Sequence, residues 1–486
     1  MKSVLLTHSY FYKLDAKQWR FKQPYPPLGT LMAASVLREI GCEVDFQDAC
    51  LKEGPGSIIE RTKSTQPSYV IIYDDGFNYL TKMCLSVMRE AAFSMIHAAK
   101  KVGSKIIVCS SDSSDHFEAY LNEGADYIVR GEGEATIKDL IQTLEKKSEL
   151  TQVAGVTYHS AGAIKSNPPR PVLKDLDSLP LPAWNLVDIS AYRNIWLKHH
   201  GYFSLNIATT RGCPFKCNWC AKPIYGNRYN SRSPEHVIAE IEMLLQTYQP
   251  DHFWMCDDIF GLKPGWVQQF ENLITQKKLS FKYKIQSRVD LLLEAKTIEA
   301  LASSGAETIW VGAESGSQKI LDAMDKGTTV EQIRESTKLL KQHGIKVGFF
   351  LQFGYSGEQQ EDIDKTLKMV LDLMPDEIGI SVSYPLPGTK FYESVKADLE
   401  EKQNWKDSDD LDMMFAGVYS SSYYKVLHRY VHSRYRVQRG VDRIKNLLQN
   451  PNFAYTDIRK MMSMVYHVPK SLFQFYQLKK ISAQHA

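Results

Sequence analysis

The chain has 486 residues, a hydrophobic fraction of 43%, a charged fraction of 24% and a formal net charge of +3. These values predict a soluble globular protein of roughly three domains, at about 150 residues each, and exclude neither a nucleic-acid ligand nor a small one. We expect no membrane span, because no apolar run is long enough, and no signal peptide, because the first residues enter a strand. The spacing of the eight cysteines does not suggest pairing, so we expect a reducing, cytoplasmic location.

Residues 1–150 alternate short apolar runs with amphipathic stretches. This pattern predicts a flavodoxin-like, doubly wound (Rossmann-like) α/β domain, whose ligands lie at the carboxyl ends of the parallel strands. Strands are expected at Ser3–Thr7, Glu43–Gln47, Tyr69–Tyr73, Lys105–Cys109 and Tyr127–Val129. Helices are expected at Thr30–Ile40, Ser57–Lys63, Thr81–Lys101, His116–Asn122 and Ala135–Lys146.

Polar residues follow several of these strands. His8 ends the first strand, and such a histidine is more often hydrogen-bonded at the sheet edge than used as a ligand. Asp74 and Asp75 end the third strand, where they either line a ligand cleft or cap a helix. The loop after the fourth strand, Ser110–Asp115, is rich in small hydroxyl side chains.

Residues 151–204 interrupt the alternation. Val153–His159 and Ala163–Ser166 predict a hairpin. The prolines between Asn167 and Pro182 then predict an extended, semi-rigid linker to the next domain.

Residues 205–395 return to strand–helix alternation with six units. That number is too small for a closed eightfold barrel and predicts a partial (β/α)6 TIM-type barrel. Strands are expected at Leu205–Thr209, Phe253–Cys256, Lys282–Gln286, Thr308–Gly312, Val347–Phe353 and Ile378–Ser383. Helices are expected at Pro234–Gln246, Pro264–Gln276, Ala295–Ser303, Val330–Gln342 and Glu361–Leu373.

Three cysteines, Cys213, Cys217 and Cys220, follow the first barrel strand with the spacing Cys-x3-Cys-x2-Cys. Iron–sulfur clusters are normally held by four thiolates, so three on one loop would leave one iron of a [4Fe–4S] cube open. A structural zinc site would prefer four closed ligands with paired Cys-x2-Cys spacing, and Cys256 is the only later cysteine. Three ordinary buried cysteines are the remaining alternative.

This motif, with the aromatic Trp219 before the last cysteine, resembles the signature of the radical S-adenosylmethionine (radical SAM) superfamily. The resemblance implies that the open iron chelates the amino and carboxylate groups of SAM. It also implies that the reduced cluster cleaves SAM to a 5′-deoxyadenosyl radical. An external electron donor such as a flavodoxin or ferredoxin is then expected.

Residues at the ends of the barrel strands are candidates for SAM contacts. Asp257 and Asp258 follow the second strand and either hold the SAM ammonium, polarise a substrate or have no such role. Arg288 follows the third and pairs either with the SAM carboxylate or with a surface acid. Glu314 and Ser315 lie in a block that resembles the family's SAM-binding strand end; otherwise they are an inward acid and a helix cap.

The end of the fifth strand completes this set. Gly354 follows Phe353 there, and its missing side chain would leave room for the adenine of SAM.

Two segments of the first domain, Pro26–Gly29 and Ala125–Glu134, resemble the cobalamin-binding members of this superfamily. The resemblance implies a corrinoid across the strand ends, in contact with Pro27, Gly29, Asp74, Ser110, Ser111, Gly131 and Glu132. The sequence lacks an Asp-x-His-x-x-Gly motif, so no histidine ligand to cobalt is indicated, and Ser110–Asp115 replaces the usual Gly-Gly-x-His. A degenerate doubly wound domain without a cofactor is the alternative.

Residues 396–486 predict a mostly helical region that begins with Asp410–Phe415 and Tyr419–Arg439. Alternating basic and aromatic side chains can bind nucleic acid. We favour a helix that covers the open side of the barrel and helps to select the substrate, since the basic run is short and nucleic-acid motifs are missing.

Together these resemblances indicate a cobalamin-dependent radical SAM enzyme that methylates an unactivated carbon of a small molecule or natural product. One alternative is oxidation, cyclisation or ring rearrangement with the same cofactors. Another, of a different class, is a non-enzymatic iron–sulfur module. The sequence does not identify the substrate.

Overall fold

A computed structural model describes residues 3–82, 85–220, 222, 224–399, 404–408, 410–449 and 455–483. The chain forms two α/β units, each built on a largely parallel sheet, followed by two long helices.

The first unit is a seven-stranded sheet with the order β2-β1-β3-β4-β5-β6-β7. Its strands are β1 (Ser3–Thr7), β2 (Glu43–Gln47), β3 (Tyr69–Tyr73), β4 (Lys105–Cys109), β5 (Tyr127–Val129), β6 (Val156–Ser160) and β7 (Ala163–Ser166). Its helices are α1 (Ala16–Phe21), α2 (Leu28–Glu39), α3 (Gly56–Thr65), α4 (Tyr79–Lys82), α5 (Ser86–Lys101), α6 (Ser111–Asp115), α7 (Phe117–Asn122) and α8 (Glu134–Lys146). The first five strands are parallel in the flavodoxin-like order, as the sequence predicts.

Two features of this unit differ from the sequence prediction. The hairpin β6–β7 does not stand apart in the linker but pairs antiparallel with β5, so the sheet continues to residue 166. The single helix expected at Thr81–Lys101 is two helices, because Leu85 has extended backbone angles and precedes α5 as its N-cap.

The linker contains α9 (Ile189–His200), which the sequence analysis did not predict. Asp188 caps its first turn, and Gly201, with φ 77°, ends it. The buried Trp196 of this helix donates its indole N–H to Pro24 O at 2.8 Å, which ties the linker to the first unit.

The second unit is a six-stranded parallel sheet with the order β15-β14-β13-β12-β11-β8. Its strands, with the two-stranded pair β9–β10, are β8 (Ser204–Ile207), β9 (Thr210–Arg211), β10 (Asn230–Ser231), β11 (His252–Met255), β12 (Lys282–Ser287), β13 (Ala306–Glu314), β14 (Lys346–Phe353) and β15 (Glu377–Val382). Its helices are α10 (Pro234–Tyr248), α11 (Trp266–Lys277), α12 (Val289–Leu292), α13 (Thr297–Ser303), α14 (Gln318–Ala323), α15 (Val330–Gln342), α16 (Gln360–Leu373) and α17 (Lys390–Val395). Six parallel strands agree with the predicted partial barrel.

Two long helices close the chain, α18 (Ser421–Gln449) and α19 (Tyr455–Ala483). They pack against each other, and α18 also contacts α16 and β15 of the barrel. The C-terminal region is therefore mostly helical, as expected, and part of it covers the barrel.

Candidate functional site

The three motif cysteines lie on the loop between β9 and β10, beyond the carboxyl end of the first barrel strand. Gly212 has φ 78°, and a Cβ there would lie 2.3 Å from Arg228 O. A residue with a side chain would therefore clash with this carbonyl oxygen, so the position requires glycine. The start of the cysteine loop is thus held against the strand that returns from it.

The side chains of Cys213, Cys217 and Cys220 are all half-buried. Burial raises the pKa of Cys220 to about 12, and Cys213 and Cys217 contribute to this shift, which places the three sulfurs in one neighbourhood. Metal binding to such thiols would release their protons. Within the described residues no three Cys, His, Asp or Glu side chains could hold a single metal ion. A cube takes its thiolates at separate irons, so it needs no such convergence.

Asn218 fixes the middle of the cysteine loop against the barrel. Its backbone N–H donates to Met324 O at 3.0 Å and its side-chain amide donates to Ala323 O at 2.7 Å. The hydroxyl of Tyr355 donates to Asn218 Oδ1 at 2.8 Å. The loop is therefore anchored from two different barrel units.

Arg288, a predicted SAM ligand, supports the same loop. Its guanidinium lies 3.7 Å from the centre of the Phe215 ring, where it can make a cation–π contact. It also donates to Lys326 O at 2.9 Å and to both carboxylate oxygens of Asp290, at 2.9 and 3.0 Å. The N–H donors of Arg288 are therefore directed at groups of the protein itself.

Glu314, another predicted SAM contact, forms a buried ion pair with Lys326, with Oε1 2.8 Å from Nζ. Burial alone would lower the pKa of Lys326, but the charges of Glu314 and Cys217 raise it. The pair lies over Gly312, where a Cβ would lie 2.5 Å from Lys326 Nζ. The ammonium group of Lys326 is therefore held between the cysteine loop and the sheet.

Ser315 and Gly354 are enclosed by protein. The Ser315 hydroxyl lies 3.0 Å from Thr366 Oγ1 and accepts the Ser317 N–H. A Cβ on Gly354 would lie 2.6 Å from the methyl carbon of Met413, so the C-terminal region occupies the space predicted for adenine.

Asp257 and Asp258 have different partners. Both oxygens of Asp257 accept hydrogen bonds from Thr209 and Thr210, at 2.5 to 2.8 Å, and burial raises its pKa to about 7. Asp258 pairs with Lys82 of the first unit at 2.5 Å. Asp257 thus holds the strand that enters the cysteine loop, and Asp258 links the two units.

Trp219, the aromatic residue of the motif, is half-buried beside the cysteines. Its indole Nε1 is buried and has no hydrogen-bond partner among the described residues. A buried donor without a partner is unusual in proteins. This donor is available to a bound group.

The predicted cobalamin contacts Asp74, Pro27 and Gly29 meet at the ends of β1 and β3. Asp74 accepts the backbone N–H and the hydroxyl of Ser9, at 2.7 to 2.9 Å. Asp75 accepts the N–H groups of Leu28, at 3.1 Å, and Gly29, at 3.0 Å, so it caps α2 just after Pro27. His8 is hydrogen-bonded to Asp48 at the sheet edge, 3.1 Å away.

The remaining predicted cobalamin contacts lie at the ends of β4 and β5. Ser110 and Ser113 form a capping box at the start of α6, and the buried hydroxyl of Ser111 has no partner in the described part of the chain. Gly131 approaches Ile224 O of the cysteine loop, which lies 3.6 Å from the position of its Cβ. Glu132 pairs with Arg211, two residues before Cys213. This edge therefore faces the cysteine loop.

Whether a corrinoid fits at this edge of the sheet depends on the volume of the cavity there. A cavity of only about 10 Å³ is lined there by polar and apolar side chains that include Ser9, Asp74, Arg89 and Tyr120. Pockets for drug-sized ligands are about 300–1,000 Å³, and a corrinoid is larger than such ligands. The cavity as described does not hold one. Side chains of α5, including Met88 and Arg89, form part of its wall.

Several residues on one face of the barrel sheet are half-buried or exposed, among them Gln286 of β12, Trp310 of β13 and Phe350 of β14, while their neighbours along the strands are buried. Trp310 lies flat across β14, because a Cβ on Gly348 would lie 2.4 Å from its ring. Phe350, 36% exposed, lies beside it with ring centres 4.7 Å apart. These rings form an aromatic platform, defined here as Trp310 and Phe350.

Lys284 stands on the same face of the sheet. Its Nζ lies 5.3 Å from the ring centre of Tyr25 and 5.2 Å from that of Trp254. Burial lowers its pKa to about 8. In the described part of the chain it makes no ion pair.

Sequence comparison identifies the second unit. Residues 207–370 match the radical SAM superfamily. An uncharacterised methyltransferase of Pyrococcus horikoshii is 29% identical over 80% of this chain and 82% of its own length. An anaerobic magnesium-protoporphyrin IX monomethyl ester cyclase of Synechocystis is 28% identical over 76% of this chain and 73% of its own length.

Solved structures share the fold of both units. TsrM of Kitasatospora setae, a radical SAM methyltransferase with cobalamin and a [4Fe–4S] cluster bound, matches with a TM-score of 0.67 and 16% identity, over 82% of this chain and 75% of that one. OxsB, a cobalamin-dependent SAM radical enzyme with aqua-cobalamin bound, matches with a TM-score of 0.71 and 19% identity, over 96% of this chain and 72% of that one. None of the described helices meets the length and hydropathy needed to cross a membrane.

Proposed function

We propose, for a chain that belongs to the radical SAM superfamily and has the fold of its cobalamin-dependent members, that it cleaves SAM and generates a radical on a small-molecule substrate. The observation that carries this proposal is the set of three cysteines on one loop, which Asn218 anchors to the barrel. The match of residues 207–370 to the superfamily supports it.

In this proposal Cys213, Cys217 and Cys220 hold a [4Fe–4S] cluster with one iron open to SAM. When bound and reduced, such a cluster supplies the electron that cleaves SAM to a 5′-deoxyadenosyl radical. The protein anchors the loop through Asn218, excludes water and orients SAM. Trp219 Nε1 is a donor for SAM, and the Lys326–Glu314 pair supplies a fixed charge pair beside the cluster.

The substrate in this proposal lies on the aromatic platform. Trp310 and Phe350 would stack against a flat, conjugated molecule, and Lys284 would meet an anionic group on it. Because Lys284 has no ion-pair partner in the described part of the chain, a ligand carboxylate or phosphate would satisfy its charge. The substrate class inferred is a planar small molecule that carries at least one negative charge.

Carbon methylation is the outcome that we propose, supported by the methyltransferases among the relatives. The cyclases among them favour ring closure without methyl transfer as a second candidate. We include cobalamin as a proposed cofactor because the chain shares the fold of cobalamin-dependent enzymes. Its proposed contacts are Pro27, Gly29, Asp74, Ser110, Ser111, Gly131 and Glu132. Since the described cavity is too small for a corrinoid, we assign cobalamin no step in the reaction.

The test is anaerobic reconstitution of the full chain with iron, sulfide and cobalamin, followed by desalting. Dithionite can replace a flavodoxin or ferredoxin donor. Formation of 5′-deoxyadenosine from SAM separates an enzyme from a non-enzymatic iron–sulfur module, which would form none. Product mass separates methylation, a gain of one methylene unit, from other reactions. Retention of about one cobalamin per chain would show that the strand ends open to admit it.

A further inference from the structure

The last helix, α19, has the reverse of the usual amphipathic arrangement. Its side chains that pack against α18 are largely polar: His467, Ser471 and Gln474 are 5%, 5% and 3% exposed. His467 lies 3.0 Å from Arg436 of α18 and 3.2 Å from the Ser433 hydroxyl. The two helices approach each other closely at Gly440, where a Cβ would lie 2.4 Å from that of Met464.

The opposite face of α19 is apolar and exposed. Six large apolar or aromatic side chains along it are 55% to 69% exposed: Met462, Val465, Tyr466, Leu472, Phe473 and Tyr476. They recur at intervals of three and four residues, with Pro469 at the intervening position, so they share one side of the helix. We call these six residues the outer stripe. Contiguous exposed apolar surface of this kind marks an interaction site.

Basic residues flank the outer stripe. Arg459 and Lys470 lie along one border and Lys479 along the other, and all three are exposed. Residues 421–483 contain twelve Lys and Arg against two Asp and no Glu. A partner for this face must therefore be apolar at its centre and negatively charged around it.

We propose that α19 lies in the plane of an anionic lipid surface, with the outer stripe buried among the acyl chains and the basic residues at the headgroups. Helices that bind this way combine a strong apolar face with flanking Lys and Arg and aromatic side chains. Tyr466 and Tyr476 place hydroxyls at the depth where rings with one polar end are favoured. The helix lies on the membrane and does not cross it, in accord with the hydropathy of the described helices.

A second copy of the chain fits this face less well. An antiparallel or parallel pair of outer stripes would bring Arg459, Lys470 and Lys479 of one copy close to those of the other, and like charges repel. Anionic headgroups instead neutralise these basic side chains.

The experiment is flotation of the full, cluster-reconstituted chain with vesicles of phosphatidylcholine alone or mixed with phosphatidylglycerol. We expect binding to the mixed vesicles, little binding to phosphatidylcholine alone, and release by salt. Leu472→Ser with Phe473→Ser should weaken partition by about tenfold or more, because each exposed side chain loses apolar burial. Lys479→Glu with Lys480→Glu should also weaken it.

Phe21→Ser is the matched control, since Phe21 is 56% exposed but lies on α1, far along the chain from α19. It should float like the unaltered chain, and thermal melts of all variants should coincide. The proposal is overturned if the chain stays with the soluble fraction in the presence of mixed vesicles. It is also overturned if Leu472→Ser with Phe473→Ser floats unchanged. Light scattering that shows a dimer dissociated by Phe473→Ser would assign the stripe to a second copy instead.

Discussion

The guanidinium of Arg211 pairs with the carboxylate of Glu134, Nη2 to Oε1 at 2.7 Å, across the interface between the two units. Arg211 also pairs with Glu132, and all three side chains are under 10% exposed. Because Arg211 precedes Cys213 by two residues, this buried ion pair ties the start of the cysteine loop to the end of β5.

Replacing Arg211 should therefore destabilise the protein strongly. Arg211→Met leaves two buried carboxylates without a cation, and loss of one partner of a buried pair costs about 3–5 kcal/mol. Urea unfolding measures the change. Lys277→Met is the control, because its pair with Glu242 is on the surface and should contribute at most about 1 kcal/mol. Equal stabilities for Arg211→Met and Lys277→Met would contradict the role assigned to Arg211.

Lys284 should select anionic ligands on the aromatic platform. We expect 2-naphthoate to bind the full chain about tenfold more tightly than the isosteric neutral 2-naphthamide, since hydrogen bonds to charged groups contribute about 1.5–3 kcal/mol. Calorimetric titration measures both affinities. Lys284→Met should abolish the difference, and Trp310→Ala should weaken both ligands. The exposed Lys278→Met should change neither; equal affinities for the two ligands in the unaltered chain would refute the charge assignment.

Gly348 should be needed for the platform to form. In Gly348→Ala the new methyl would lie 2.4 Å from the Trp310 ring, so the indole must move, at about 1–3 kcal/mol. We expect a shift in Trp fluorescence and weaker 2-naphthoate binding. Gly54→Ala, where nothing lies within 4 Å, is the control. An unchanged spectrum and affinity in Gly348→Ala would show that Trp310 does not lie flat on β14.

Glu358 should make stability fall as pH rises. Burial raises the pKa of its carboxyl to about 8, although the N–H of Gly354 donates to it at 2.6 Å. Between the usual carboxyl pKa and about pH 8, the native state keeps this proton while the unfolded chain has lost it. Stability is therefore greatest below the usual carboxyl pKa and falls by about 1.4 kcal/mol per pH unit up to about pH 8.

Glu358→Gln cannot ionise, so its stability should lack this slope between about pH 4.5 and 8. Glu361→Gln removes an exposed carboxylate in the first turn of α16, three residues after Glu358, and should keep the slope of the unaltered chain. Denaturant unfolding at several pH values measures the difference. Parallel curves for Glu358→Gln and the unaltered chain would rule out a raised pKa.

The strands were predictable because their residues alternate or are uniformly apolar, and β1 to β5 begin and end where the sequence indicates. The sequence places the hairpin β6–β7 in the linker, because its pairing with β5 is antiparallel and no local pattern in residues 153–166 specifies a partner strand. The sequence predicts a mostly helical region over residues 396–486 but not the bounds of α19, because the apolar face of this helix points outward and Pro469 interrupts its pattern.

The sequence is most informative about the candidate site at the cysteines, because cluster binding requires a fixed spacing. It is less informative at the strand ends, because a carboxylate there can pair with many different partners. Asp258 and Glu132, proposed as cofactor contacts, lie in ion pairs with Lys82 and Arg211. Arg211, Asn218 and Lys326 were missed, since only the fold brings their partners near. Lys284 and Trp310 could have been found from the two-residue period of β12 and β13, which places them on the inner face. Cys84 lies outside the described residues.

The central claim is that Cys213, Cys217 and Cys220 together hold a cluster that cleaves SAM. The direct measurement is 5′-deoxyadenosine formed from SAM by anaerobically reconstituted, dithionite-reduced protein, with iron content determined in parallel. The unaltered chain and Cys42→Ala should form it. Cys217→Ala should form none and lose the cluster, because two thiolates cannot hold the cube with one iron open. Full iron content and SAM cleavage in Cys217→Ala would contradict the account.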